Sequence, residues 1–227
     1  MPCLRRRGCF SRKCGKYAEV TAEEKVSQPE AEDTPAPQEG AQEGENAGSV
    51  ANSESDGTID TLQELQAALN DAASVDAENT TVELAGDITV GEGEQWSSVY
   101  VDGYNGAGVV TLNGNGHTIS GLNAPLFKGG FGGQSGIVIN ALTLKDVDLN
   151  DTSSEYSATG FGAFICAVDS MPTISLTDCH VKGGQINSTS GARVGALIGW
   201  TSGYNEKNDG PVDTYVTLKD CSVEDVT

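Results

Sequence analysis

The sequence predicts an all-β fold wound as a solenoid, and three observations predict it. The first is a repeated corner: two apolar residues spaced by one, a bend, then two more spaced by one. Val82 and Leu84 precede Ile88 and Val90 in this way, and Val110 and Leu112 precede His117 and Ile119. Leu142 and Leu144 precede Val147 and Leu149, Ile174 and Leu176 precede Cys179 and Val181, and Val216 and Leu218 precede Cys221 and Val223. Apolar parity flips across each bend, so two strands meeting at a corner point their apolar side chains into one core. The second observation is spacing. The corner leucines Leu84, Leu112, Leu144, Leu176 and Leu218 are 28, 32, 32 and 42 residues apart, as in a stacked array, and β-branched residues with frequent Gly and Asn select strands. The third is a further strand between corners. Gly162-Ala163-Phe164-Ile165-Cys166 matches Gly195-Ala196-Leu197-Ile198-Gly199 in order, with Leu126-Phe127 and Val99-Tyr100-Val101 as earlier counterparts, and the glycines permit close backbone approach. Together these specify a right-handed parallel β-helix.

In chain order, residues 1–57 contain little that packs. Cys3, Cys9 and Cys14 sit among Arg5, Arg6, Arg7, Arg12, Lys13 and Lys16, without a Cys-x-x-Cys pair or a fourth ligand for zinc, which reads as a basic tail. From Glu19 to Gly57 the composition turns to Glu, Pro, Gln, Ala, Gly and Ser, too poor in apolar surface to offset ordering entropy, so a disordered acidic linker is expected. A helix follows at about residues 60–73. Thr61 and Glu64 have capping-box spacing, and Leu62, Leu65, Leu69 and Ala72 share one face. Such a helix suits an N-terminal cap over the first β coil, with the β-helix domain running over residues 58–227. The chain stops just after the fifth corner without a polar cap, so a domain truncated at its C-terminus is expected.

Leu112-Asn113-Gly114-Asn115-Gly116-His117-Thr118-Ile119-Ser120-Gly121 resembles the coil of the pectate-lyase-like β-helix superfamily, especially its repeat-bearing bacterial surface proteins. Gly195 to Gly203 resembles the GLUG-type repeat of secreted adhesins and surface proteases. The resemblance spans about residues 58–227 and implies an extracellular or cell-surface protein, although no apolar signal-peptide core is visible in Met1–Lys16. It carries fold further than activity.

A formal net charge of −20 disfavours nucleic acid and anionic membranes as partners, and no segment is apolar for long enough to form a transmembrane helix. Enzymes of the superfamily need acid–base groups gathered on one wall. Residues 58–227 hold one arginine, Arg193, and no Asp-Asp pair, so no catalytic residue is assigned. His117 reads as structural and His180 as solvent-facing. Asp87, Asp146, Asp178 and Asp220 recur at corners. Stacked carboxylates at Asp146, Asp178 and Asp220 would make calcium the one cofactor in prospect, against the alternative that Asp serves turn backbone. Cys179 and Cys221 occupy equivalent positions and read as small inward fillers. Polar insertions at residues 91–108, 150–160, 187–193 and 201–213 carry aromatic residues. Trp96, Tyr156, Trp200, Tyr204 and Asn205 are the expected ligand-binding groups, because rings beside amides stack on sugars and bind their hydroxyls. The function expected is a non-catalytic, adhesin-like surface or secreted protein that binds a glycan or a host cell-surface protein. Its alternatives are the N-terminal part of a polysaccharide lyase or glycoside hydrolase, and a purely structural stalk.

Overall fold

The computed structural model describes residues 58–74, 78–103, 108–131, 135–152, 160–205, 210–211 and 213–227. The tail and linker expected over residues 1–57 lie outside the described residues. Helix α1 (Leu62–Ala72) begins at a complete capping box: the Glu64 N–H donates to Thr61 Oγ1 and the Thr61 N–H to Glu64 Oε2, both at 3.3 Å. Leu62, Leu65, Leu69 and Ala72 are buried, as the 3.6-residue periodicity requires.

The strands come in repeats. The first holds β1 (Thr80–Glu83), β2 (Ile88–Thr89) and β3 (Val99–Asp102); the second holds β4 (Val109–Asn113), β5 (Thr118–Ser120) and β6 (Phe127–Phe131). The third holds β7 (Gly136–Asp151), β8 (Gly160–Gly162) and β9 (Ile165–Asp169); the fourth holds β10 (Thr173–Ser188), β11 (Arg193–Gly195) and β12 (Ile198–Ser202). β13 (Tyr204–Asn205) pairs antiparallel with β14 (Gly210–Pro211), and β15 (Tyr215–Lys219) and β16 (Ser222–Glu224) follow. The fold is all-β with parallel sheets. One sheet runs β1-β4-β7-β10-β15, with β2 pairing β5, β5 pairing β7 and β16 on β10; a second runs β12-β9-β6-β3; β8 and β11 form a third. α1 packs against β1 and β3, the first strands of the two longer sheets.

Matching positions in successive repeats stack into apolar columns. Val82, Leu112, Ile139, Leu176 and Leu218 form one, and Ile88, Ile119, Leu144, Val181 and Val223 another. From Val82 to Leu176 and from Ile88 to Val181 every member is at most 4% exposed. On the second sheet Val99, Phe127, Ile165 and Ile198 align. The paired Gly-Ala segments hold as read, with Gly162 opposite Gly195 and Ile165 opposite Ile198. A Cβ at Gly162 would come within 2.6 Å of the Gly199 nitrogen, so the glycines are where two sheets converge.

The register corrects the corner alignment in two repeats. In the first, Val82 rather than Leu84 pairs with Leu112, and Ile88 rather than Val90 pairs with Ile119. In the third, Leu144 does not stack with Leu112 and Leu176; it stacks with Ile119 and Val181, and Ile139 takes the place between Leu112 and Leu176. From the second repeat onward, two bends are marked by left-handed backbone. The first uses Asn115, Ala141, Asp178 and Asp220 (φ 53°, 49°, 54° and 54°), and the second uses Gly121, Asp146, Gly183 and Asp225 (φ 74°, 49°, 74° and 54°). Lys145-Asp146 is therefore a second bend, and the true first bend of that repeat is Asn140-Ala141. Ala carries none of the turn chemistry of Asn, Asp or Gly, which is why the bend is silent in sequence. His117 likewise aligns with Leu142, Cys179 and Cys221 rather than with Val147.

Candidate binding surface

Trp96 is a correction. It is 4% exposed, and its indole N–H lies 3.0 Å from the Pro125 carbonyl and 3.1 Å from that of Leu126. Its backbone N–H donates to Asn123 Oδ1 at 3.0 Å. The ring is core, with its polar edge satisfied, and offers no face to a ligand. Tyr156 lies outside the described residues, and Tyr204 and Asn205 form β13.

Trp200 lies on β12 opposite Ala167 of β9, half-buried, with the Arg193 guanidinium carbon 5.6 Å from its ring centroid. At that distance the cation is drawn to the ring quadrupole. A guanidinium over a ring engages its plane and leaves its N–H edge outward. The same column continues across the sheet through Ala167 and Gly129 to Tyr100, which is 40% exposed between the buried Val99 and Val101. Three strand spacings separate Tyr100 from Trp200, roughly 14 Å at about 4.8 Å each, with only Gly and Ala between. Arg193 and Tyr100 were not anticipated as site residues. The signal for Tyr100 was present in the Val-Tyr-Val alternation, which turns the ring outward when both valines turn in; nothing local marked Arg193.

Both imidazoles lie along the first sheet, His180 on β10 and His117 just before β5. His180 Nε2 is 3.0 Å from Asp178 Oδ1, and Nδ1 is 2.8 Å from Ser222 Oγ, whose hydroxyl is in turn 3.1 Å from Glu224 Oε1. His180 is thus only partly solvent-facing, at 25% side-chain exposure. The Ser, His and Asp are those of a nucleophilic triad. However, the Asp178 side chain is 61% exposed, so water screens its hold on the imidazole, and a second carboxylate competes for the hydroxyl proton. The arrangement ties β10 to β16. His117 Nδ1 lies 3.3 Å from Asp87 Oδ1, which also accepts the Thr118 N–H at 2.9 Å. That backbone bond, together with the imidazole, holds the Asp87 carboxyl below its ordinary pKa.

Of the carboxylates considered for calcium, Asp178 and Asp220 occupy equivalent first bends, whereas Asp146 belongs to the second. Asp146 lies 3.8 Å from the Lys145 ammonium and Asp220 lies 3.9 Å from that of Lys219. Among the described residues no three His, Cys, Asp or Glu side chains converge as a metal site. Among the described residues Cys166, Cys179 and Cys221 are in the thiol form, outside any disulfide. Burial pushes the Cys179 thiol up to about 12, and its Sγ lies 3.4 Å from the Ile139 carbonyl. No described helix is long and apolar enough to cross a membrane.

No curated protein and no solved structure matches this chain. A family model does match, over residues 57–187, more than half of the chain, and its description is "Putative pectate lyase-like adhesive domain". With its parallel repeats and an outward ring on the wall of its second sheet, the chain belongs to the family of pectate lyase-like adhesive domains.

Proposed function

We propose that this chain is a right-handed parallel β-helix of an adhesin-like, non-catalytic protein of the bacterial surface or its secretions. In this reading it holds a glycan or a host-surface protein against the outer wall around Trp200. The observation that carries the reading is the wall itself: Trp200 beneath Arg193, in line with the exposed Tyr100 over a floor of Gly129 and Ala167. A flat ring presents its face to the C–H face of a sugar, and the outward guanidinium edge adds hydrogen-bond donors. The stacked columns beneath keep these groups at fixed spacing, so little ordering entropy is lost on binding.

The test is a glycan-array screen of the full chain beside a Trp200→Ala/Tyr204→Ala double variant and a Tyr100→Ala variant. Circular dichroism first establishes that all three are folded. Binding that is lost in the double variant and weakened in Tyr100→Ala supports the proposal. Unchanged binding in the double variant refutes the assignment of this face, and a well-folded chain that binds no glycan or host-surface protein returns the reading to a structural stalk. Release of unsaturated or reducing sugars from a polysaccharide would replace adhesion with cleavage.

A further inference from the structure

A second polar surface lies at the edge of the second sheet opposite Trp200, where α1 meets the segment leading into β3. A pocket of about 360 Å³ opens there, lined by Leu62, Gln63, Gln66, Ala67, Asn70 and Gln95. Its volume is at the lower end of small-ligand sites. Gln63, Gln66, Ala67 and Asn70 follow the i, i+3, i+4, i+7 spacing, so they form one stripe along the helix face, about 10 Å long at 1.5 Å rise per residue. The lining holds four carboxamides and no charged group, in a chain whose net charge is −20.

Two of these carboxamides are fixed in place. Gln66 Oε1 accepts the Ser97 N–H at 2.9 Å, and Gln66 Nε2 donates to Asn70 Oδ1 at 3.3 Å. That fixes which amide groups of Gln66 and Asn70 face the opening, because Gln66 has a single N–H left and Asn70 keeps its whole NH₂. Gln63 and Gln95 are exposed and face the same opening from two different elements. The buried Leu62 and the methyl of Ala67 supply an apolar floor.

We infer that this pocket is a binding site for a neutral saccharide of about two rings. The chemistry selects the ligand by elimination. A phosphate or carboxylate ligand would find no cation in the lining and would meet the field of a strongly acidic chain. An apolar ligand would strip water from four carboxamides without replacing their hydrogen bonds. An extended peptide takes its main-chain bonds from an open sheet edge, which a helix face does not provide. A neutral sugar meets both features: hydroxyls that donate and accept in turn for the amides, and a C–H face for Leu62 and Ala67. The inference does not rest on the Trp200 surface.

The test uses ¹⁵N-labelled full-length chain titrated with lactose, cellobiose and N,N′-diacetylchitobiose, with digalacturonic acid as the charged comparison. The readout is the side-chain NH₂ resonances of Gln63, Gln66, Asn70 and Gln95. At least one neutral disaccharide should shift them, and the uronate should not. A Gln63→Leu/Gln95→Leu variant, altered only at exposed positions, should lose affinity by about tenfold or more. Ala67→Trp, which fills the pocket and spares every carboxamide, should abolish the shifts. The Trp200→Ala/Tyr204→Ala variant should keep them, so failure of the wall and failure of this pocket are read separately. Silence of these resonances to all three neutral sugars, a stronger response to the uronate, or full binding by Ala67→Trp would each overturn the inference.

Discussion

Leu144 offers the sharpest test of how the repeats stack. Its side chain is 0% exposed, with Ile119 in the repeat before and Val181 in the repeat after, both also 0% exposed. Replacing it with Ala removes the burial of its lost carbons and leaves a cavity closed on both sides by β-branched residues with little freedom to refill it. Leu→Ala changes in cores cost about 2–5 kcal/mol, and a site this enclosed should fall near the middle, about 3 kcal/mol, against a total of about 5–15 kcal/mol for a domain. Val223 ends the same column at 44% exposure, so Val223→Ala gives up little buried surface and should cost under about 1 kcal/mol. Urea unfolding measures both. A double-mutant cycle then tests the register. Leu144→Ala with Val181→Ala should couple by about 0.5 kcal/mol or more, because the two are stacked neighbours, while Leu144→Ala with Leu112→Ala should be additive within about 0.5 kcal/mol. Equal costs at Leu144 and Val223, or coupling of Leu144 to Leu112 rather than to Val181, would refute the stacking described.

The bends, the acidic corner and the thiols give three further expectations. Ala141 holds left-handed backbone at φ 49°, where its Cβ is strained, so Ala141→Gly should raise stability by about 0.5–1 kcal/mol net of the unfolded-state entropy of Gly; a fall in midpoint would show that the Ala methyl is needed. Asp87 has its pKa lowered in the fold, chiefly by the Thr118 N–H, so its contribution is full above the ordinary carboxylate pKa and is lost as pH falls through the folded value. Asp87→Asn should therefore be less stable than the parent at neutral pH, with the gap closing below about pH 4; a gap independent of pH refutes the assignment. Iodoacetamide at about pH 8, read by peptide mapping so that Cys3, Cys9 and Cys14 are scored separately, should label the partly exposed Cys221 well before Cys179, whose thiol is buried and pushed up to about 12. Equal labelling of the two would mean that the column opens freely.

Much of this architecture is legible in the sequence because parity is a strong code. Leu112, Leu176 and Leu218 each precede a visible Asn or Asp bend and fall in one column through Ile139, whereas Leu84 precedes the Ala85-Gly86-Asp87 bend yet Val82 takes the place beside Leu112. The Gly-Ala pairs at 162 and 195 read directly for the same reason: a position that must lie against another backbone tolerates only Gly. The third repeat was misread through Ala141, an αL residue with no turn chemistry, and a single silent bend moved Asp146 and Leu144 one strand along. Trp96 was misread by the opposite logic. A polar neighbourhood in sequence suggested an exposed ring, yet carbonyls 29 and 30 residues away satisfy its N–H and let the ring enter the core. Partners at that separation exist only once the repeats have stacked.

Some recurring features of the chain are demanded by the repeats, and others are left free by them. Asp178 and Asp220 share one backbone conformation at matching bends, and Asp146 and Asp225 share it at the other. Asp is one of the few residues that enters αL at low cost, so recurrence of carboxylates along this chain follows from backbone geometry before any chemistry of the carboxyl group is invoked. A regular ladder is thus poor ground for a metal or a catalytic site. Function is better sought where an outward column breaks its own pattern without any demand from the fold. The column Tyr100, Gly129, Ala167, Trp200 does so, placing large rings at its ends over a small-residue floor. The outer stripe of α1 does so too, since its inner face alone, Leu62, Leu65, Leu69 and Ala72, suffices to pack the helix and leaves the carboxamides of Gln63, Gln66 and Asn70 without a structural requirement beyond the bond to Ser97.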